Sequence, residues 1–423
     1  MDKAPLVEFL VTGDEVVRGL VADTNTAATA SKLYPLGFRL RGTSVVGDDG
    51  ADIRRALLDI SVRADVCIVS GGLGPTSDDL TAGCAAQAAG VSLVRDEEWA
   101  RRLRALWEKR RPGEPMPANN ERQALLPSGA ENLGNPDGTA PAFALRLARC
   151  TFYFLPGVPR EYHWIVDEAV LPRLARLLGE GGIATRTLQC VGITESALDA
   201  KVQATRLAHP QVRFGFRTRY PENHLSLAAR GATLIEAQAR LAAAEADCRK
   251  DLAGVVYGAD GITFAESLGQ RLAARGETVA VAESCTGGLL GALLTDVGGS
   301  SAWMRGGVIA YANDVKQSAL GVPLALLAAH GAVSSEVASE LAVGARAALG
   351  ATYALSITGV AGPGGGTPEK PVGTVWMGLA GPEGEVTRLG KFRGDRGMIR
   401  TSAAYGALQL LREALDADGA AQP

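Results

Sequence analysis

The stretch Val279-Ala-Val-Ala-Glu-Ser-Cys-Thr-Gly-Gly-Leu-Leu-Gly-Ala-Leu-Leu294 reads as a buried strand that breaks into a tight turn and continues as a helix. Ser284, Cys285 and Thr286 sit at the break, where the N–H groups of a helix start lack intrahelical partners. Such a turn can present a hydroxyl or a thiol and hold an anion beside it. His330 is the one histidine in the last third of the chain, so a serine nucleophile needs another base. Lys316 is the candidate.

Around this stretch, strands at Thr278–Ala282, Gly307–Tyr311, Tyr353–Thr358 and Val372–Leu379 alternate with helical patterns that begin at Phe264–Arg275. The N-terminal part repeats the arrangement, with strands at 6–11, 66–69 and 152–155 and helices at 25–33 and 53–61. Alternation of this kind implies mostly parallel sheets covered on both faces. Between the two parts, strands at Thr185–Val191 and Leu225–Arg230 and an alanine-rich helix at Leu234–Leu252 suggest a small α+β insert. Its Arg213–Arg219 run mixes aromatics with arginines and reads as a sheet edge rather than an RNA platform. Gly258-Ala-Asp-Gly261 reads as a linker.

The 423 residues carry a net charge of −3, which argues against a broad nucleic-acid surface. Arg101 to Arg111 form a local basic run with apolar residues at helical spacing, read as a solvated helix face. The six cysteines are scattered without metal-finger or C-x-x-C spacing and are expected as buried thiols of a reducing compartment. No basic-then-apolar leader and no membrane-length apolar run is visible, so a cytoplasmic location is expected.

Ser70-Gly-Gly-Leu-Gly-Pro-Thr-Ser-Asp-Asp-Leu-Thr81 directly follows a strand and precedes a helix. Glycines let a backbone approach a phosphate, and Asp78 and Asp79 beside it call for a divalent cation, most often Mg²⁺. A second acidic loop, Thr12-Gly-Asp-Glu15 with Asp23-Thr-Asn25, ends the first strand. Loops after parallel strands gather along one sheet edge, so the two can share a site. The plainer alternative is that Asp14 and Asp79 only cap helices.

These loops, with Asn135-Pro-Asp-Gly-Thr-Ala-Pro141 and Leu155-Pro-Gly-Val-Pro-Arg-Glu161, resemble the CinA family. The C-terminal part is similar to that family's nicotinamide-mononucleotide amidohydrolase. The matching strings are Ala282 to Gly288, Gly298 to Trp303, Gly307 to Tyr311 with Asn313 and Lys316, His330 to Ser334, Thr358 to Pro363, Pro371 to Val375 and Gly394 to Arg396. The resemblance implies a molybdopterin-binding-like three-layer domain at 1–173 with metal-dependent ADP-ribose pyrophosphatase activity. It further implies a small KH-like α+β middle domain at 174–257, a linker at 258–262 and an α/β amidase domain at 263–416. Mapped here, Asp14, Glu15, Asp78 and Asp79 would hold Mg²⁺, Mn²⁺ or Co²⁺. Gly71, Gly72, Gly74 and Thr76 would line phosphates, with Gly138 and Thr139 nearby. Ala142 departs from the glycine expected after Pro141 and raises the question of a crowded ligand site.

A carboxamide is a poor electrophile and needs an activated nucleophile and a held oxyanion. Ser284 would be that nucleophile and Lys316 its base, without a cofactor. Thr286, Gly287 and Gly288 would offer N–H groups to the oxyanion, and Tyr311 would orient the amide or relay a proton. Asn313, Thr358, Arg396 and Arg400 would contact the nucleotide, the arginines at its phosphate. Each has a plainer alternative: a cap for Ser284, surface for Lys316, core for Tyr311, a salt bridge for Arg396. Cys285 is a rival nucleophile, but a cysteine would want a histidine. The zinc-deaminase strings H-x-E and P-C-x-x-C are absent. The expected function is a bifunctional hydrolase of nicotinamide mononucleotide and ADP-ribose acting as a homodimer. The alternatives are a nucleotide-sensing scaffold in competence or DNA-damage response, and a molybdopterin-binding protein.

Overall fold

The computed structural model describes residues 4–178 and 182–420, so residues 1–3 of the expected first domain and 179–181 of the expected middle domain lie outside it. Two compact units emerge, Met1–Thr185 with Ala228–Ala242, and Arg186–Leu227 with Ala243–Pro423.

In the first unit, strands β1 (Leu6–Thr12), β2 (Arg39–Val46) and β3 (Val66–Ser70) join β6 (Glu131–Gly134), β7 (Ala142–Leu147) and β8 (Cys150–Leu155) in one sheet of order β2-β1-β3-β8-β7-β6. Strands β4 (Leu93–Arg95) and β5 (Leu125–Pro127) form a separate small ladder. The four strands from β2 to β8 are parallel, whereas β7 runs antiparallel to both of its neighbours, β8 and β6. The expected parallel sheet is therefore mixed at one edge. Helices α1 (Asp14–Val17), α2 (Thr24–Leu36), α3 (Gly50–Arg63), α4 (Thr81–Ala89), α5 (Glu97–Arg110), α6 (Pro159–Ile165) and α7 (Leu171–Ala175) complete it. Ile53, Leu57, Cys84 and Ala85 from α3 and α4 fill one face of the sheet. Leu33, Tyr162, Ile165 and Leu174 from α2, α6 and α7 fill the other. This is a three-layer α/β/α arrangement.

Strands β9 (Gly182–Cys190), β10 (Val212–Arg219), β11 (Glu222–Gly231) and β12 (Val256–Ala259) form a sheet of order β10-β11-β9-β12, accompanied by α8 (Glu195–Lys201), α9 (Gln203–Ala208) and α10 (Leu234–Asp251). The arginine-aromatic run lies on β10, at the sheet edge. The expected linker begins inside a strand: Gly258 and Ala259 pair with Gln189 and Leu188. Only Asp260 and Gly261, both at positive φ, turn the chain.

The second unit also contains a five-stranded sheet, order β14-β13-β15-β16-β17, from β13 (Val279–Glu283), β14 (Met304–Ile309), β15 (Tyr353–Gly359), β16 (Thr374–Gly381) and β17 (Gly384–Lys391). Its helices are α11 (Phe264–Arg275), α12 (Leu289–Thr295), α13 (Asn313–Leu320), α14 (Leu324–His330), α15 (Ser335–Leu349) and α16 (Arg396–Ala420). Side chains alternate along a strand. Val279 and Val281 accordingly pack with α11, α12 and α16, while Ala280 and Ala282 pack with α13, α14 and α15. The same alternation sends Glu283 toward α12 and Ser284 toward α13. None of the described helices is long and apolar enough to cross a membrane.

Helix α13 lies close against α15 because Gly344 has no side chain; a methyl there would collide with the Leu320 carbonyl that ends α13. Alanine improves helix propensity by about 1 kcal/mol, but overpacking against backbone costs about 1–3 kcal/mol. Gly344→Ala should therefore lower the urea midpoint, while Gly298→Ala, with open space around it, should leave it unchanged.

Candidate active sites

The first site is built at the carboxyl ends of β1, β3 and β8. Loops 12–25, 70–79 and 156–161 meet there around a cleft of about 540 Å³, within the range of small-molecule sites. Glu15, Asp23, Asp48, Asp78, Asp79 and Glu161 line it, and its lining contains no lysine or arginine.

Of the expected metal residues, Glu15, Asp78 and Asp79 line the cleft, and Asp14 does not. Asp14 accepts from the Asp48 N–H at 3.2 Å, and Arg18 reaches it at 2.5 Å. It ties two loops together. Asp79 accepts from the N–H groups of Gly74 (2.7 Å) and Thr76 (2.8 Å) and from the Thr76 hydroxyl at 2.5 Å, so it caps its own loop. Asp78 is exposed and its carboxyl lies below the ordinary range because of a hydrogen bond from Thr76. Among the described residues no group of three acids, histidines or cysteines is placed to cage a metal. The residues fit a cation in another way. An anionic ligand in a cleft with six carboxylates and no basic side chain requires positive charge, and Mg²⁺-like ions are held by one or two carboxylates plus ligand phosphate.

Gly71, Gly72, Gly74 and Thr139 line the cleft; Thr76 and Gly138 do not. Gly71 and Gly72 sit at φ +108° and +67° and press on Thr12 and Thr81, so loop packing alone already demands glycine. Ala142 is fully buried in β7 among core residues and does not crowd the cleft. Sequence reading missed Asp48, Gln123 and Glu161. Glu161 accepts from the Asn135 amide at 2.6 Å, and Asn25 binds Gly157 O at 2.9 Å. The arginines of α5 are not a free basic face: Arg102 donates to the carbonyls of Asn135 and Pro136, Arg110 to Asp137, and Arg104 to Glu121.

The second site lies where β13 turns into α12. Gly287 and Gly288 adopt φ +57° and +93°, and the Gly287 N–H closes the turn on Ser284 O at 3.1 Å. Glu283, 1% exposed, accepts from the N–H groups of Gly288 (3.0 Å), Leu290 (3.0 Å) and Gly291 (2.7 Å). The helix start expected to receive an anion thus already holds one from its own chain. Two of the three expected oxyanion donors, Gly287 and Gly288, are spent. The Thr286 N–H has no partner among the described residues.

Ser284 faces the buried Lys316, 1% exposed, whose Nζ stands 3.4 Å from Ser284 Oγ and 2.9 Å from the carbonyls of Ala310 and Tyr311. Burial lowers the Lys316 pKa below the ordinary lysine value. A neutral amine has two N–H groups and one lone pair. With both N–H groups on carbonyls, the lone pair is left for the serine proton. Tyr311 meets Lys316 through its backbone carbonyl; the residue is 63% exposed and falls outside β14, which ends at Ile309. Burial pushes the Cys285 thiol up to about 11, which removes the thiolate a cysteine nucleophile needs. His330 pairs with Glu336 at 3.4 Å.

Arg400 donates to Thr286 O from Nε (3.2 Å) and Nη2 (2.5 Å), and Arg396 donates to Gly362 O at 2.6 Å. Thr358, 1% exposed, spends its hydroxyl on Ala332 O at 2.7 Å. Asn313 is exposed at the start of α13. Sequence reading missed Glu283, although a lone acid ending an apolar strand just before a glycine turn was a visible signal for a cap.

Residues 8–176 match the family described as a probable molybdopterin binding domain, and residues 262–415 match the CinA C-terminal domain. The chain is thus a multi-domain α/β protein joining these two modules. It is 48% identical over 412 residues to a CinA-like protein of Anaeromyxobacter sp. (strain Fw109-5), covering 97% of this chain and 99% of that one. It is 45% identical over 415 residues to a CinA-like protein of Myxococcus xanthus (strain DK1622), covering 97% and 98%. A crystal structure of a competence/damage-inducible protein from Agrobacterium tumefaciens overlaps 36% of this chain and 96% of its own at 38% identity, with a TM-score of 0.35. The chain belongs to the CinA family.

The Glu283 cap is testable. Replacing a buried, triply bonded carboxylate leaves N–H donors unsatisfied, at about 1–3 kcal/mol. Glu283→Gln should lower unfolding stability by that order in urea titration, because the amide keeps only one oxygen acceptor.

Proposed function

We propose that this chain is a hydrolase of pyridine-nucleotide breakdown products with two sites. The C-terminal site converts nicotinamide mononucleotide to nicotinate mononucleotide and ammonia. The N-terminal cleft cleaves ADP-ribose to AMP and ribose 5-phosphate with a divalent cation. The observation that carries the reading is the buried Lys316 amine beside Ser284.

In this mechanism the neutral Lys316 amine takes the Ser284 proton as Oγ attacks the amide carbon. The Thr286 N–H receives the oxyanion. Collapse breaks the C–N bond, and the nitrogen leaves as ammonia after taking the proton back from Nζ. Water then attacks the acyl-serine, giving its proton to Nζ, and release of the acid returns that proton to Ser284. Arg396 and Arg400 keep guanidinium donors beyond those spent on carbonyls, and these bind the 5′-phosphate.

In the N-terminal cleft, Glu15, Asp48 and Asp78 are the residues that would hold the cation. When bound it would neutralise pyrophosphate charge and lower the pKa of water. The loop from Gly71 to Gly74 keeps bulk away from the ligand, and Asn25 holds loop 156–161 in place.

Ammonia release from nicotinamide mononucleotide tests the first half. Ser284→Ala and Lys316→Met should lower it by at least about a hundredfold, and Cys285→Ser should retain it. The base must be neutral, so kcat/KM should fall as pH drops through the Lys316 pKa, on an acid limb below the ordinary lysine value. No ammonia from the unaltered protein would sink this half.

AMP formation from ADP-ribose tests the second half. It should require an added divalent cation, stop with chelator and drop about tenfold or more in Asp78→Asn. Binding of ADP-ribose without product would favour a sensor.

A further inference from the structure

Helix α16 has two opposed stripes in its first turns. Arg396 and Arg400 are four residues apart and bond Gly362 and Thr286, both in loops of the C-terminal site. Met398, Ser402 and Tyr405 fall on nearly the other side at 3.6 residues per turn. That second stripe is held by the turn between β10 and β11. The Tyr220 phenol contacts Ser402 Oγ and lies 3.4 Å from Met398 O. Ser402 Oγ itself donates to Met398 O at 2.9 Å, so the phenol is the donor to Ser402. Tyr405 OH donates to the buried Glu222 at 2.8 Å, and His224 Nε2 lies 3.0 Å from the same carboxylate.

We infer that Tyr220 and Glu222 are positioning residues for the C-terminal site: they hold α16 in the rotation that places Arg400 on the Thr286 carbonyl. The kinetic consequence rests on the amidase reading above; the structural one does not. Beyond the clamp α16 is anchored through Ala407, Leu408, Leu411 and Leu415 in the core, and Ile399, Ala403 and Ala404 hold its first turns against the same core. Arg412 also bonds the carbonyls of Val255 and Val256 at 3.3 and 2.9 Å. Loss of two hydroxyls therefore leaves the helix docked and removes only what fixes the rotation of its first turns. This gives the insert between the two larger modules a defined task.

The geometry explains why the clamp acts through Arg400. The guanidinium spans two atoms of contact on one carbonyl, and that carbonyl belongs to the residue whose N–H is the remaining oxyanion donor. Rotation at Ser402 and Tyr405 moves Arg400 away from Thr286 and with it the cation offered to the substrate phosphate.

The test compares Tyr220→Phe, Tyr405→Phe and their double variant in the full chain, each alone and with Arg400→Ala. In the native background the double variant should raise KM for nicotinamide mononucleotide about five- to tenfold, with kcat within about twofold and a melting temperature lower by no more than about a few degrees, the cost of one donor lost to the buried Glu222. In the Arg400→Ala background the same two changes should have no further effect, since neighbours that act through one group are not additive. Ser402→Thr, which keeps the hydroxyl, should retain native KM. Equal effects in both backgrounds, or a fall in melting temperature that accounts for the loss, would overturn the inference. If the unaltered protein releases no ammonia, the amidase reading fails and hydrogen exchange decides the clamp separately. Amides 284–288 should then exchange at least about fivefold faster in the double variant; unchanged exchange there overturns it.

Discussion

The buried carboxylate of Glu283 sets the geometry of the C-terminal site. It sits at the end of β13, where the sheet gives way to α12, and it takes three N–H groups of the helix start. A helix start carries partial positive charge and unpaired donors, and without an internal anion it would remain open to solvent or ligand. Because Glu283 satisfies it, the turn is rigid, and the next residue in the alternation, Ser284, must point to the opposite face. The serine hydroxyl is presented toward α13 as a consequence of where its neighbour is held.

The opposite face is then completed by close packing. Gly344 lets α15 meet the end of α13, and α13 carries Lys316 into the space under Ala310 and Tyr311. Burying an amine is costly unless its donors are met, and two backbone carbonyls meet them. Burial shifts the amine toward its neutral form, the form a base beside a serine requires. Cys285, one residue on, is buried without a comparable partner and stays a thiol.

The two sites differ in charge. The N-terminal cleft gathers carboxylates and has no lysine or arginine in its lining, so under the proposed function an anionic ligand there would need a cation. At the C-terminal site Arg396 and Arg400 stand on the loop carbonyls of Gly362 and Thr286. Two acids of the N-terminal loops are structural, though not as the helix caps of the plainer alternative: Asp14 holds the Asp48 N–H and Arg18, and Asp79 holds N–H groups of its own loop, while α1 and α4 have no side-chain cap. Such residues support the shape of the cleft, which Glu15, Asp78 and Asp48 line, the last with one oxygen on the Asp14 N–H.

Much of the fold was legible from periodicity. The strand at 279–283, the helix at Phe264–Arg275 and the strands at 66–70 and 353–359 follow from apolar runs bounded by glycine and polar turns. Strand β2 was not, since its arginines and exposed alternation at a sheet edge resemble a loop; nor was β17, whose pattern is polar for the same reason. The break between strand and helix at Ser284 and the order of the loops are local properties, and local sequence determined them. That Lys316 meets Ser284 across 32 residues, that Arg400 reaches the Thr286 carbonyl and that Glu222 reaches Tyr405 are long-range facts. They depend on how strands are ordered and how closely helices approach, and hydrogen-bond partners far apart in the chain are assigned only when packing brings them together.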